Sequence, residues 1–287
     1  MPQQIALVGL GTMGIGMGGR LLHAGFPLRV YNRTSQRASD LVEKGAVLAA
    51  SPADAAANAD VILSIVSDDT ASRQVWLGEK GALNAAKPGA IVIDSSTLSP
   101  RWAREFAETA RKRGLAPLDA PVTGSKPHAA SGELTFLVGG DADALERARP
   151  ALAVMSRRII HMGPNGAGAL MKLINNFLAG VQAASLGEAI ALIERSGINR
   201  DAALDILYNG APGSPLIKTL GARMVSRDYA VNFFLHLMKK DLTYAGAEAR
   251  EHGLQLQTAA AAVTLFDEAQ KRGWGEKDFS SVVEAAR

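Results

Sequence analysis

In the first half of the chain, short apolar runs bounded by turn residues alternate with amphipathic stretches, and this alternation restricts the fold more than any other feature. The runs Ile5–Val8, Leu28–Tyr31, Val61–Val66, Ala90–Ile93, Leu134–Val138 and Arg158–Ile160 have the length and continuity of strands buried on both faces. Between them, Met13–Ala24, Gln36–Glu43, Thr70–Trp76 and Pro100–Arg113 repeat apolar residues at helical spacing. Such alternation predicts βαβ units and a Rossmann-type, doubly wound parallel sheet covered by helices on both faces.

The second half differs. After Gly163-Pro164-Asn165-Gly166 comes a proline-free run from Ala167 to Arg195, in which Leu170, Leu173, Ile174, Phe177 and Leu178 recur at three- and four-residue spacing. As a helix it would extend roughly 40 Å, with Gly197 as its stop. Further helices are expected over Arg200–Tyr208, Pro215–Val225, Leu237–Glu251, Thr258–Arg272 and Ser280–Ala286, and no strand pattern returns. The reading is an α/β domain over residues 1–164, then an all-helical domain over 165–287 that opens on the long interdomain helix.

Composition narrows the function classes. With 47% hydrophobic residues in 287, the chain can bury a sizeable core. The net charge of +3 comes from 31 basic and 28 acidic residues, and these are scattered rather than gathered into a nucleic-acid-binding stripe. There is no cysteine, which excludes disulfides, thiolate catalysis and Cys-ligated zinc. His23, His128, His161, His236 and His252 lack metal-ligand spacing and read as surface or packing residues. The first apolar run starts at Ile5 without a basic leader, and the apolar runs fall short of the roughly 20 residues a bilayer span needs. A cytoplasmic protein with no membrane partner is expected.

Gly9-Leu10-Gly11-Thr12-Met13-Gly14 is a G-x-G-x-x-G turn between the first strand and the first helix. In that context Gly9 permits a tight turn, Gly11 lets a pyrophosphate approach the backbone, and Gly14 lets helix pack closely on strand. N–H groups at the start of the helix face the phosphates. At the end of the second strand, where an NAD-selective site commonly places an acid, the chain reads Asn32-Arg33-Thr34. A guanidinium attracts a 2′-phosphate that a carboxylate would repel, so NADP(H) is the expected preference, with NAD(H) possible. Val66-Ser67-Asp68 and Asp94-Ser95-Ser96-Thr97 follow later strands, at the carboxyl edge where ligands of open parallel sheets sit. Val66, Ser67, Asp68 and Thr97 are therefore candidate cofactor contacts, although Ser and Thr are also ordinary helix caps.

Lys172 and Asn176 stand four residues apart on the long helix, hence on one face. They lie near the junction of the two domains, a common place for small-molecule sites. Lys172 could bind a carbonyl oxygen and donate a proton as hydride arrives, with Asn176 fixing either the lysine or a substrate oxygen. By spacing alone the pair also fits a polar stripe on a surface helix.

Four separated motifs, in order, resemble the β-hydroxyacid dehydrogenases, a family that includes 3-hydroxyisobutyrate dehydrogenase, tartronate semialdehyde reductase and glyoxylate/succinic semialdehyde reductases. They are Val8–Gly14, Asp119-Ala120-Pro121-Val122-Thr123-Gly124, Gly168–Asn176 and Lys239-Lys240-Asp241-Leu242. The closing Lys277-Asp278-Phe279-Ser280-Ser281-Val282 resembles the tail of 3-hydroxyisobutyrate dehydrogenases. The resemblance covers essentially the whole chain. It implies that Lys172 is the catalytic lysine, Asn176 its helper, and Thr123-Gly124-Ser125 the loop holding a substrate carboxylate. It further implies that Lys240 reaches toward the cofactor, that the Gly-rich turn, Asn32-Arg33-Thr34 and Thr97 contact it, and that the chain forms a homodimer or homotetramer around the long helix.

Three departures stand out. Gly18-Gly19-Arg20 replaces the family's small residue and Asn after Met17, so helix packing there must differ. Thr123 replaces the usual Ser, and its methyl group narrows the carboxylate site. Ser125-Lys126-Pro127-His128 is nearer the glyoxylate/succinic semialdehyde reductases. Imine reductases share the fold, but frequently carry something other than Lys at the position of Lys172, and a non-catalytic cofactor-binding module would be expected to lose that lysine.

Overall fold

The computed structural model describes residues 2–287, which divide into two compact units, the first ending at Lys172 and the second spanning Leu173–Arg287. In the first unit the strands are β1 (Ile5–Val8), β2 (Leu28–Tyr31), β3 (Val47–Leu48), β4 (Val61–Ser64), β5 (Ile91–Asp94), β6 (Ala116–Asp119), β7 (Val122–Thr123), β8 (Leu134–Gly140) and β9 (Ser156–Gly163). Its helices are α1 (Gly14–His23), α2 (Ser39–Glu43), α3 (Pro52–Ala56), α4 (Asp69–Leu77), α5 (Pro100–Lys112), α6 (Lys126–Ser131), α7 (Ala142–Ala153) and the start of α8 (Ala167–Ser196). The sheet order is β3-β2-β1-β4-β5-β6-β8-β7, with β9 pairing β8. From β3 to β6 every pairing is parallel, as the alternation predicts.

Side-chain alternation places the core on both faces of this sheet. Ile5, Leu7, Val61, Leu63, Ile91 and Ile93 join a cluster with Met17, Leu21, Phe136 and Leu145. Ala6, Val8, Ile62 and Val92 face the other way, into a cluster with Trp76, Trp102 and Phe106. A strand whose alternate residues enter two different cores reads as an unbroken apolar run.

Beyond β6 the sheet departs from the parallel expectation, because β8 runs antiparallel to both β6 and β7. β6 itself is hidden in the sequence by Pro117, which has no N–H for a ladder. The strand tolerates it because pairing with β8 begins after it, at Leu118 and Asp119.

Asp119 closes β6 and anchors α8. It is 1% exposed; Oδ1 accepts from Gly166 N at 2.8 Å and Oδ2 from Ala169 N at 2.9 Å. Burial pushes its carboxyl above the usual range, against the opposing pull of those N–H donors. In Asp119→Asn one backbone N–H would meet an amide N–H instead of an acceptor. The expected result is a loss of about 1–3 kcal/mol, read as a lower Tm; an unchanged Tm would remove Asp119 from this anchoring role.

The second unit comprises the remainder of α8 with α9 (Arg200–Asn209), α10 (Pro215–Ser226), α11 (Leu235–Glu251) and α12 (Gln257–Ala269), then a π-helical turn (Gln270–Trp274) and a 3₁₀ segment (Phe279–Ala285). Its core gathers Ala183, Leu186 and Ile190 of α8 with Leu220, Met224, Met238, Leu242, Phe266 and Val283. The helix expected through Arg272 stops at Ala269, where the backbone widens into a π-helical turn that ends past Gly273 at φ +91°. The tail motif is structural: Asp278 caps the 3₁₀ segment through Ser280 N and accepts from Asn232 N at 2.9 Å and Phe233 N at 3.1 Å. By length and composition α8 is apolar enough to cross a bilayer, but half of its most apolar window is buried within the protein.

Candidate functional site

The turn from β1 into α1 is built by two close approaches. Gly9 has φ +98°, and a Cβ there would lie 2.1 Å from the carbonyl oxygen of Ile65, while a Cβ at Gly14 would lie 2.0 Å from that of Gly9. Gly11 is different, since beyond its two chain neighbours no protein atom lies within 4 Å of where its Cβ would be. Packing therefore demands glycine at 9 and 14 but leaves open space above 11. α1 starts at Gly14 with no side-chain cap; Ile15 N donates to Gly11 O at 3.3 Å, and no side chain takes up the N–H groups of the first turn. A dinucleotide pyrophosphate fits this cradle. Thr12 and Met13 are half-buried between the glycines, and Leu10 is buried.

Asn32 ties this turn to the end of β2. Its Oδ1 accepts from Leu10 N and its Nδ2 donates to Thr34 O, both at 2.9 Å. Arg33 and Thr34, held beyond it, are exposed. Asn32 thus acts as a brace for the turn and for the residues that follow β2.

The residues after β4 and β5 are also linked. Val66 N donates to Ser96 Oγ at 2.8 Å. Asp68 caps α4, accepting from Ala71 N at 2.8 Å and from Ser67 Oγ at 2.7 Å. Ser67 is exposed and Thr97 half-buried.

Thr123 ends β7, and Gly124 follows at φ +121°. Ser125 caps α6 in a box with His128: Ser125 N donates to His128 Nδ1 at 3.2 Å, and Ser125 Oγ lies 2.9 Å from the same nitrogen. His128 had no role from sequence, yet it holds Ser125; its spacing three residues after a serine is the signal of a capping box. The Gly18-Gly19-Arg20 departure also resolves locally. A Cβ at Gly18 would lie 2.7 Å from Leu41 Cδ1, and Arg20 Nε donates to Val154 O at 3.1 Å.

Lys172 and Asn176 fall four residues apart on continuous α8, Lys172 half-buried and Asn176 4% exposed. Asn176 Nδ2 donates to Asp241 Oδ2 at 2.6 Å, and its Oδ1 accepts from Asn175 at 3.0 Å. Asp241 lies on α11 and is fully buried. Its Oδ1 stands 3.0 Å from Lys240 Nζ, an ion-pair contact at a poor angle for a hydrogen bond. Lys240 Nζ also lies 5.0 Å from the centre of the Tyr244 ring. Sequence reasoning gave Asp241 no task of its own; it joins Asn176 to Lys240. Among the described residues no group of three or more His, Asp or Glu could hold a metal ion.

Known proteins share both halves of this arrangement. Residues 4–163 match the family described as the NAD binding domain of 6-phosphogluconate dehydrogenase. Residues 166–286 match the family described as NAD-binding of NADP-dependent 3-hydroxyisobutyrate dehydrogenase. The chain is 38% identical to an NAD-dependent L-serine dehydrogenase of Pseudomonas aeruginosa, covering 98% of this chain and 96% of that one. It is 34% identical to glyoxylate/succinic semialdehyde reductase 1 of Arabidopsis thaliana, covering 99% and 96%. A solved structure of Mycobacterium tuberculosis 3-hydroxyisobutyrate dehydrogenase with L-serine superposes with a TM-score of 0.90 at 32% identity, over 100% of both chains. With this agreement over its full length, the chain belongs to the β-hydroxyacid dehydrogenase family and is an NAD(P)-dependent oxidoreductase acting on CH–OH groups.

Proposed function

We propose that the chain interconverts a small carboxylate-bearing aldehyde or keto acid and its hydroxyacid, with NADP(H) preferred over NAD(H) and Lys172 as general acid and base. The observation that carries this reading is the Lys172–Asn176 pair on one face of α8, its asparagine buried and held by Asp241. Bound nicotinamide supplies the hydride in reduction and accepts it in oxidation. Lys172 Nζ binds the carbonyl oxygen and gives it a proton in reduction; in oxidation Lys172 takes the hydroxyl proton back. Asn176, fixed by Asp241, orients the same oxygen or the lysine. Because Ser125 N is committed to His128, the Thr123 hydroxyl and the Gly124 N–H are the first donors to the substrate carboxylate, with the Ser125 hydroxyl beside them.

Exposed Arg33 and the absence of an acid at the end of β2 support the NADP(H) preference. The Gly9–Gly14 turn, Asn32-Arg33-Thr34, Val66-Ser67-Asp68 and Thr97 are assigned to the cofactor, and Lys240 is assigned to reach it from α11. The relatives' names extend the substrate class to L-serine and to glyoxylate or succinic semialdehyde. A homodimer or homotetramer is part of the same reading; Ile174 and Leu178 of α8 are exposed apolar side chains that such an assembly would cover.

The test is a set of NADPH and NADH oxidation rates with glyoxylate and with succinic, tartronate and methylmalonate semialdehydes, a cyclic imine for comparison, and L-serine oxidation in the reverse direction. Turnover of a carboxylate-bearing substrate above the imine is expected. Turnover of the imine alone would refute the reading. Arg33→Asp should lower kcat/KM with NADPH by about 10–100-fold, the size of one lost charge-assisted contact, and leave NADH nearly unaffected. An unchanged NADPH/NADH ratio would free Arg33 of the role.

A further inference from the structure

Asp94, at the carboxyl end of β5, is a buried carboxylate for which neither the Lys172 chemistry nor the turn at Gly9–Gly14 has any use. It is 1% exposed, and its partners are neutral donors. Oδ2 accepts from Ser72 Oγ at 2.6 Å and Trp76 Nε1 at 2.7 Å, and Oδ1 accepts from Ser96 N at 2.9 Å. Trp102 Nε1 donates in turn to Ser72 Oγ at 2.8 Å. One side chain thereby gathers α4, α5 and the loop after β5. A fourth element joins through Ser96, whose Oγ accepts from Val66 N in the loop after β4.

Apolar packing alone would be a less costly way to fill this space, because a buried carboxylate loses its hydration and finds no cation here. What the carboxylate adds is direction. It fixes the Ser96 peptide, and the Ser96 hydroxyl fixes the Val66 peptide. The two loops tied in this way carry Val66, Ser67 and Asp68 on one side and Thr97 on the other. A second bridge between the same segments, Ser99 N and Oγ to Asp69 at 2.9 and 2.6 Å, holds the beginnings of α4 and α5 together.

We infer that Asp94 is a positioning residue for cofactor binding: through Ser96 it sets the spacing of the two strand-end loops that border the nicotinamide side of the dinucleotide. The inference rests on the proposed assignment of those loops to the cofactor. It concerns affinity for the cofactor and not proton transfer, so its loss separates KM from kcat.

The experiment measures NADPH Kd by fluorescence titration, steady-state constants and Tm for wild type, Asp94→Asn, Ser96→Ala and Gly11→Val. In Asp94→Asn the amide must set an N–H against either the Ser96 peptide or the Ser72 and Trp76 donors. Its Kd and cofactor KM should rise at least tenfold, with kcat at saturating NADPH changed far less. Ser96→Ala keeps the carboxylate and its core intact and removes only the link to Val66. It should raise Kd by severalfold at nearly unchanged Tm, so the inference remains testable if Asp94→Asn fails to fold. Gly11→Val separates the two levels of the reading. If Gly11→Val abolishes binding while Ser96→Ala binds as wild type, Asp94 and Ser96 are structural only and the inference is overturned. If Gly11→Val binds NADPH normally, the cofactor assignment itself is wrong and the inference falls with it.

Discussion

Replacement of Lys172 by alanine is expected to lower kcat by about 10²–10⁴-fold while NADPH still binds, because the substitution removes the proton donor and leaves the dinucleotide cradle intact. Lys172→Arg should be nearly as impaired. A guanidinium keeps the positive charge, but with a pKa above about 12 it does not surrender a proton at neutral pH. The pair of variants therefore separates charge from proton transfer. Activity retained in the arginine variant alone would reassign Lys172 to electrostatic binding of the carbonyl oxygen. Activity retained in both would remove it from the chemistry. Since α8 continues unbroken through this position, alanine is not expected to disturb the helix.

The second large effect is expected at Gly11. A Cβ at Gly9 or Gly14 would run into backbone carbonyls at 2.1 and 2.0 Å, so substitutions there disturb folding and binding together and say little about either. At Gly11 no protein atom beyond the two chain neighbours lies within 4 Å of the added carbon. Gly11→Val should keep its Tm close to that of wild type, yet lose at least a factor of about ten in NADPH affinity, equivalent to 1.4 kcal/mol or more. Loss of stability without loss of affinity would mean that the glycine serves the fold alone.

Much of this organisation can be read from the sequence, for identifiable reasons. Ile5–Val8 and Leu28–Tyr31 match β1 and β2 to the residue: β1 is buried on both faces and leaves an uninterrupted apolar signature, β2 buries Leu28 and Val30 in alternation with Arg29 and Tyr31, and the flanking glycine and proline mark their ends. β3 could not be found this way, as Val47 and Leu48 are an exposed two-residue edge. β6 was masked by Pro117, which a central strand seldom accommodates, and α7 by Pro150 within its twelve residues. The antiparallel turn at β8 has no local signature, since pairing direction depends on where the chain returns and not on the composition of the strand.

The site divides along the same line. The Gly-rich turn and the Lys172–Asn176 spacing are local patterns, hence legible. Asn32 and Asp68 carry a structural task that their positions at strand ends did not announce: the Asn32 amide braces Leu10 and Thr34, and Asp68 caps α4. The links that organise the rest span long stretches of chain: Asp241 to Asn176 over 65 residues, and Ser96 to Val66 over 30. No spacing rule encodes partners at that separation, and only the folded backbone brings them together.

The most direct measurement follows the hydride itself. Incubated with NADPH deuterated at the reactive position of C4 and with a carboxylate-bearing aldehyde such as succinic semialdehyde or glyoxylate, the protein should form a hydroxyacid carrying one deuterium on the carbinol carbon, detected by mass spectrometry or NMR. Lys172→Ala should form it at least about 10²-fold more slowly. Cofactor that binds tightly while no carbonyl acid gains deuterium would contradict hydride transfer to this substrate class.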